Sequence, residues 1–278
     1  MDKFKRTERI AAITRILVES PNKLFTLARF CEMFSTAKST MSEDISIVAD
    51  ALGKHGLGEI QTLPGAAGGV RFRPTMSRKQ AYEEVEAISR VLCDPQRVLA
   101  GGFLYWSDVL SAPEIARKLG CIIASEYYDA KAEFVLTMET KGIPVALMTA
   151  EALGVPLIIA RRSSKVYEGS AVNINYVTGR GGIETMALAR RAVKSGQKAL
   201  IVDDFIRGGG TSRGMISLMA EFNVDVVGMA FVLAEDNPPG RHIRGEKALM
   251  LFTESSDSLI HVRPAQWLKE KRAGEDIE

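Results

Sequence analysis

The sequence predicts an α/β fold in two parts: a small, mostly helical unit over residues 1–74, then a mostly parallel sheet flanked by helices over residues 75–278. Three observations predict it. Three amphipathic helical stripes follow one another closely at the start of the chain and end on a hairpin pattern. Beyond residue 97, short apolar runs alternate with helical periodicities. One of those runs delivers two adjacent carboxylates into a glycine-rich loop.

In the first helix Ile10, Ile13 and Leu17 fall at i, i+3, i+7, and Ser20-Pro21-Asn22 breaks it. Thr26 can cap a second helix with Leu27, Phe30, Cys31 and Phe34 on one stripe. The tight link Ser35-Thr36-Ala37 leads to a third with Met41, Ile45, Val48 and Leu52 inward, ended by Gly53 and Gly56. A short helix, a tight link and a longer helix have helix-turn-helix spacing. The outward face of the third helix begins Lys38, Ser39, Ser42, Glu43, Ser46, where short polar side chains let a helix enter a major groove and hydroxyls, Thr40 included, and a lysine can reach phosphates or base edges. Ile60–Leu63 and Val70–Arg73, joined by Pro64–Gly69, read as a hairpin. Its Val70 and Phe72 face one way and Arg71 and Arg73 the other, as in a wing that tracks a phosphate backbone. With Lys5 and Arg6 ahead of the first helix, these residues form a candidate DNA-binding set in a winged helix-turn-helix. An interaction module with a solvated polar face would use the same helices. The basic hairpin favours DNA, and the lack of exposed aromatics in residues 35–46 argues against RNA.

Ser77 can cap a helix reaching about Asp94, and the domain boundary is expected near residue 74. The pattern then reads as a strand at Val98–Tyr105, a helix near Ala112–Ala130 and a strand at Phe134–Met138. A helix at Pro144–Leu153, strands at Leu157–Ala160 and Lys198–Val202, a helix at Thr211–Phe222 and a strand at Val226–Leu233 follow. Sheets of this kind bind ligands at the carboxyl ends of their strands.

The sharpest signal is Ala199–Ser212. Here the apolar Ala199-Leu200-Ile201-Val202 is followed by Asp203, Asp204, Phe205, Ile206, Arg207, Gly208, Gly209, Gly210, Thr211 and Ser212. Three consecutive glycines let backbone N–H groups close on a phosphate without Cβ clashes, and the helix starting at Thr211 adds its dipole and a hydroxyl. Two carboxylates beside an anion would repel it unless they serve neutral donors, a need that the diol of a ribose meets. The motif lacks the Gly-Lys-Ser/Thr ending of a P-loop and the Gly-x-Gly-x-x-Gly spacing of dinucleotide folds. Two other segments offer cations and N–H groups to a diphosphate: Thr140, Lys141 and Gly142 after one strand, and Arg161–Ser170, with Arg162 and Lys165, after the next.

Composition excludes several classes. A chain of 278 residues that is 46% hydrophobic and 25% charged can bury real cores. No apolar run reaches eighteen residues and no secretory h-region follows Met1–Arg6, so neither a membrane partner nor export is expected. Cys31, Cys93 and Cys121 are scattered, as are His55, His242 and His261, which suits reduced thiols in a cytoplasmic protein with no metal site. Residues 1–74 carry eleven Lys/Arg against eight Asp/Glu, a net of +3, while the whole chain has +2. The excess sits where DNA is expected.

The Asp203–Thr211 loop resembles the signature of type I phosphoribosyltransferases, and Thr137–Gly142 resembles that family's pyrophosphate loop. A winged helix fused to such a domain, with Arg162-Ser163-Ser164-Lys165, Glu168-Gly169-Ser170 and Asn175-Tyr176-Val177, resembles the purine-operon repressors of Gram-positive bacteria over nearly the full length. The resemblance implies a type I phosphoribosyltransferase-like fold and a homodimer that binds a double-stranded DNA operator and represses purine biosynthesis genes. Phosphoribosyl pyrophosphate would be the effector that weakens DNA binding, and no transferase activity is implied. No cofactor is required, though Mg²⁺ can accompany the effector. Some relatives bind guanosine tetraphosphate at the same site, where Phe205 and Tyr105 or Phe103 could stack a purine. Arg207 departs from the family pattern, which has a small residue followed by Thr or Ser ahead of the glycines. The alternative is an active purine or xanthine phosphoribosyltransferase with an appended N-terminal domain.

Overall fold

A computed structural model describes residues 4–65, 68–100, 103–164, 169–178, 181–236, 245–254 and 260–270. The chain forms two compact units, and the main division in sequence falls between Ser77 and Arg78.

In the first unit α1 (Arg6–Val18) buries Arg9, Ile13 and Leu17, and α2 (Leu27–Phe34) buries Phe30 and Phe34. The Thr26 hydroxyl accepts from the Arg29 N–H at 3.3 Å, so the threonine caps α2 as its position in the sequence suggests. The chain leaves α2 through Ser35 at φ 48° and enters α3 (Lys38–Lys54), which buries Met41, Asp44, Ile45, Val48 and Leu52. Strands β1 (Glu59–Leu63) and β2 (Gly69–Arg73) pair antiparallel with Ile60 opposite Phe72 and Gln61 opposite Arg71. Phe25 extends the hairpin by one bridge, exchanging hydrogen bonds with Val70 at 2.9 and 2.8 Å. Ile13, Leu17, Phe25, Phe30, Met41, Val48, Val70 and Phe72 close one core under the three helices and the hairpin.

The second unit begins with α4 (Arg78–Leu92), a two-stranded ribbon β3 (Val98–Leu99) and β4 (Phe103–Leu104), then α5 (Ser107–Ser111) and α6 (Pro113–Tyr127). It continues with β5 (Phe134–Met138), α7 (Ile143–Leu153), β6 (Leu157–Ala160), β7 (Ala171–Val177) and β8 (Ile183–Ala189). Last come β9 (Lys198–Ile206), α8 (Gly210–Glu221), β10 (Asp225–Glu235), β11 (Lys247–Glu254) and β12 (Ile260–Pro264). The main sheet has the order β12-β11-β10-β9-β5-β6, with every neighbouring pair parallel except β11 and β12. Phe134, Leu136, Ile201 and Phe231 pack with Met215, Leu218 and Met219 of α8. The alternate residues Val135, Leu200, Val202 and Val232 are buried as well, so both sheet faces are covered, as a parallel sheet requires.

Two readings of the sequence change here, and one helix is confirmed. The run Val98–Tyr105 is not one strand: Val98 pairs back on Leu104 and Leu99 on Phe103, with the sequence glycines Gly101-Gly102 between them. The helix expected near Ala112–Ala130 is present as α6, begun by Pro113, whose missing N–H suits a first helical position, and closed by a single 3₁₀ turn at Tyr128–Ala130. The hairpin β7–β8 and the strands β11 and β12 were not expected, although Val172, Ile174 and Tyr176 alternate with polar residues as a strand should.

Candidate functional site

The strand order reverses between β5 and β9. The chain runs outward from β5 to β6, then returns to the other side of β5 and continues through β9, β10 and β11. Val135 lies opposite Leu200 and Leu136 opposite Ile201, so the residues that follow both strands emerge side by side at their carboxyl ends. This is the crevice position at which open parallel sheets bind ligands.

Asp203 and Asp204 follow the buried run Ala199–Val202 of β9. Asp203 is 7% exposed, and its Oδ1 accepts from the Asp204 backbone N–H at 3.0 Å. Burial pushes the Asp203 carboxyl well above the usual range, the neighbouring Asp204 charge pushes it further, and the Thr137 hydroxyl partly offsets both. Burial also raises Asp204, while Lys141 across the crevice draws it back down. The Glu139–Thr140 peptide is cis, Thr140 and Lys141 are exposed, and Gly142 is buried. A Cβ at Gly142 would overlap Asp203 Oδ1 and stand 2.7 Å from Thr137 Oγ1, so only glycine lets the two loops meet. The site thus sets backbone N–H groups and one ammonium opposite a pair of desolvated carboxyls.

The other wall is the loop into α8. Gly209 is the N-cap at φ 76°, a conformation natural to glycine, and supplies no side chain to the helix N-terminus. The helix therefore starts at Gly210, one residue before the expected start at Thr211. The N–H groups of Gly210, Thr211 and Ser212 have no intrahelical acceptor and lie at the positive end of the dipole. Gly208 is half-buried and Ser212 is buried. The Thr211 hydroxyl is engaged by Tyr176 of β7, and Ile206 sends its side chain into the core. Phe205 packs on Phe252 with ring centroids 5.4 Å apart. Arg207 pairs with Glu235 at the end of β10, Nε to Oε2 at 2.6 Å and Nη2 to Oε1 at 3.3 Å, although its side chain is half exposed.

A hydrogen-bonded chain crosses from the Glu139 loop to the β7–β8 hairpin. Glu139 Oε1 accepts from the Arg162 backbone N–H at 2.7 Å, Arg162 Nη1 donates to Glu184 Oε2 at 3.0 Å, and Tyr176 Oη donates to the same oxygen at 2.9 Å. Glu139, Tyr176 and Glu184 were not legible as site residues, because each depends on long-range pairing rather than on a local pattern. Tyr105 is exposed just beyond β4, on the separate ribbon. Lys165 lies outside the described residues.

In the first unit Lys38, Ser39 and Ser42 are exposed at the start of α3, and Thr40 is half-buried beside them. Arg71 lies on the outer face of the hairpin, its Nε donating to Gln61 Oε1 across the strands at 2.7 Å. Arg73 departs from the alternation expected of it. It is 8% exposed and donates from Nε to Asn22 Oδ1 at 3.3 Å, so it serves packing where Arg71 serves the surface. Arg6 donates from Nε to Asp44 Oδ1 at 2.9 Å and from Nη2 to Glu43 Oε2 at 3.2 Å. Arg9 donates to the other oxygen of the fully buried Asp44 at 2.8 Å. Lys5 is exposed, and its backbone N–H donates to Glu8 Oε2 at 2.8 Å.

Residues 5–74 match the family described as "Bacterial purine repressor, N-terminal", and residues 105–265 match "Phosphoribosyl transferase domain". The chain is 42% identical over 252 residues to the purine biosynthesis transcriptional repressor PurR of Bacillus subtilis (strain 168), covering 90% of this chain and 88% of that one. It is 45% identical to the probable purine biosynthesis transcriptional regulator PurR of Streptococcus pneumoniae serotype 4, covering 82% and 84%. It is 41% identical to the purine biosynthesis transcriptional activator PurR of Lactococcus lactis subsp. lactis, covering 83% and 85%. No helix among the described residues is long and apolar enough to cross a membrane.

Proposed function

The chain belongs to the family of purine biosynthesis transcriptional regulators that join a bacterial purine repressor N-terminal domain to a phosphoribosyltransferase domain, and from that premise we propose that it is an operator-binding repressor relieved by phosphoribosyl pyrophosphate. The observation that carries the ligand half is the meeting of Gly142 with Asp203 opposite the uncapped α8 N-terminus. The ribose diol would donate to Asp203 and Asp204, supplying hydrogen atoms to acceptors that burial has left short of them. The 5′-phosphate would take the N–H groups of Gly208–Ser212 and the diphosphate, with Mg²⁺ carried on it, those of Thr140–Gly142 together with Lys141 and Arg162. Guanosine tetraphosphate fits the same anion contacts and would compete. Operator DNA would take the α3 face from Lys38 to Ser42 and the Arg71 side of the hairpin. The working form is a homodimer in the cytoplasm.

Relatives of this chain bear both the name repressor and the name activator. The relative named a repressor is matched over 90% of this chain, which supports repression here, and an effector that weakens DNA binding would relieve it. Asp203→Ala combined with Asp204→Ala tests the reading in a gel-shift titration. The variant is expected to hold operator DNA with wild-type affinity and to keep holding it at effector levels that release the wild type. Normal release would contradict the roles given to the acids, and release of pyrophosphate with a purine base would favour a transferase.

A further inference from the structure

The outward stripe of α3 carries Ser39, Glu43, Ser46 and Asp50 at i, i+4, i+7, i+11, opposite the buried Met41, Ile45, Val48 and Leu52. A carboxylate facing DNA is repelled by phosphate, so an acid on this stripe needs either a neutralising partner or a donor to meet. Glu43 has the partner. Arg6 Nη2 donates to its Oε2 at 3.2 Å. Arg6 is itself fixed, because its Nε donates to Asp44 Oδ1 at 2.9 Å, and Asp44 is fully buried and held from the other side by Arg9 at 2.8 Å. Arg9 Nη1 in turn donates to the Phe4 carbonyl at 3.0 Å. The position of Glu43 is therefore referred to the core of the unit through Arg6 and Asp44, which is unusual support for a side chain that is two-thirds exposed.

The pairing occupies one carboxylate oxygen and leaves Oε1 without a partner among the described residues. One acceptor with its countercharge already in place suits a single amino donor in the major groove. Guanine and thymine show acceptors there. Adenine sets its N7 acceptor beside the amino group, where it faces the carboxylate unfavourably. Cytosine N4 is a lone donor.

We propose that Glu43, held by Arg6, is a specificity-determining residue that accepts a hydrogen bond from a cytosine amino group in each operator half-site. The proposal rests on the reading of the first unit as a DNA-binding winged helix. Within it Arg6 is a positioning residue: its bond to Glu43 sets the acceptor, and its charge offsets the carboxylate near the phosphates.

The test is selection of double-stranded DNA from a randomised pool by the full-length protein at one fixed salt concentration. Wild type is compared with Glu43→Gln and Glu43→Ala, and thermal melting checks that both variants fold, Asp44 being retained. Wild type is expected to prefer cytosine at one position of each half-site by roughly tenfold or more. Glu43→Gln should move that position toward adenine, because an amide pairs with adenine N6 and N7, and Glu43→Ala should leave it without preference, other positions being unchanged. Identical preferences in all three proteins would overturn the proposal while leaving DNA recognition intact. A wild type that selects no sequence would instead overturn the DNA-binding reading beneath it.

Discussion

Asp203 shows how a binding residue weighs against the fold that carries it. Its carboxyl is raised by burial and by Asp204, so the folded protein binds this proton more tightly than the unfolded chain does. The sign follows: stability is fullest below the ordinary Asp range and is lost as pH rises through the raised folded value. Asp203→Asn removes the charge and keeps the shape. It should melt higher than wild type at pH 8 in the absence of ligand, with the gap closing as the pH falls toward the ordinary Asp range. The same variant should lose effector binding. A wild type that melts higher than the variant at pH 8 would show that the carboxyl is stabilised by partners instead of being held in reserve for a ligand. Asp44 is the contrast, since it is equally buried but both its oxygens are answered by arginines. Its role is internal, joining α1 to α3.

At the scale of elements, the hairpin of the first unit separates two arginines that the sequence pairs. Arg71 lies at the surface and Arg73 is buried against Asn22. Arg71→Ala is expected to weaken operator binding and lower the slope of log affinity against log salt by about one, as the loss of one phosphate contact should. Arg73→Ala should instead lower the melting temperature and leave the salt slope unchanged. Equal effects of both on the slope would mean that Arg73 swings outward on DNA. Alternation along a strand told which side Arg73 would take but not that this end of the strand is covered, because cover comes from distant residues. The same limit runs through the second unit. Phe134–Met138 and Leu157–Ala160 were legible to the residue, since buried parallel strands are short unbroken apolar runs. The glycine loop and both acids were legible because their chemistry is local. The β7–β8 hairpin was not drawn from the sequence, and with it went Tyr176 and Glu184, whose partners lie on other elements. The strands β11 and β12 were missed too, although Ala248–Phe252 is an apolar run that length alone could have marked.

At the scale of the molecule, an operator-reading unit and a ligand-binding unit make a regulator only if the two binding events share free energy. Coupling of this kind is reciprocal: an effector that weakens DNA binding by some factor must itself bind more weakly by the same factor when DNA is present. A coupling of 1–3 kcal/mol, about 5- to 150-fold, is the usual range. That requirement makes no assumption about how the signal passes along the chain. It is met or failed by one measurement, a calorimetric titration of the full-length protein with phosphoribosyl pyrophosphate and Mg²⁺, first alone and then with saturating operator DNA. The account predicts binding in both titrations, with affinity reduced at least fivefold by the DNA. Binding of equal strength with and without DNA would contradict it.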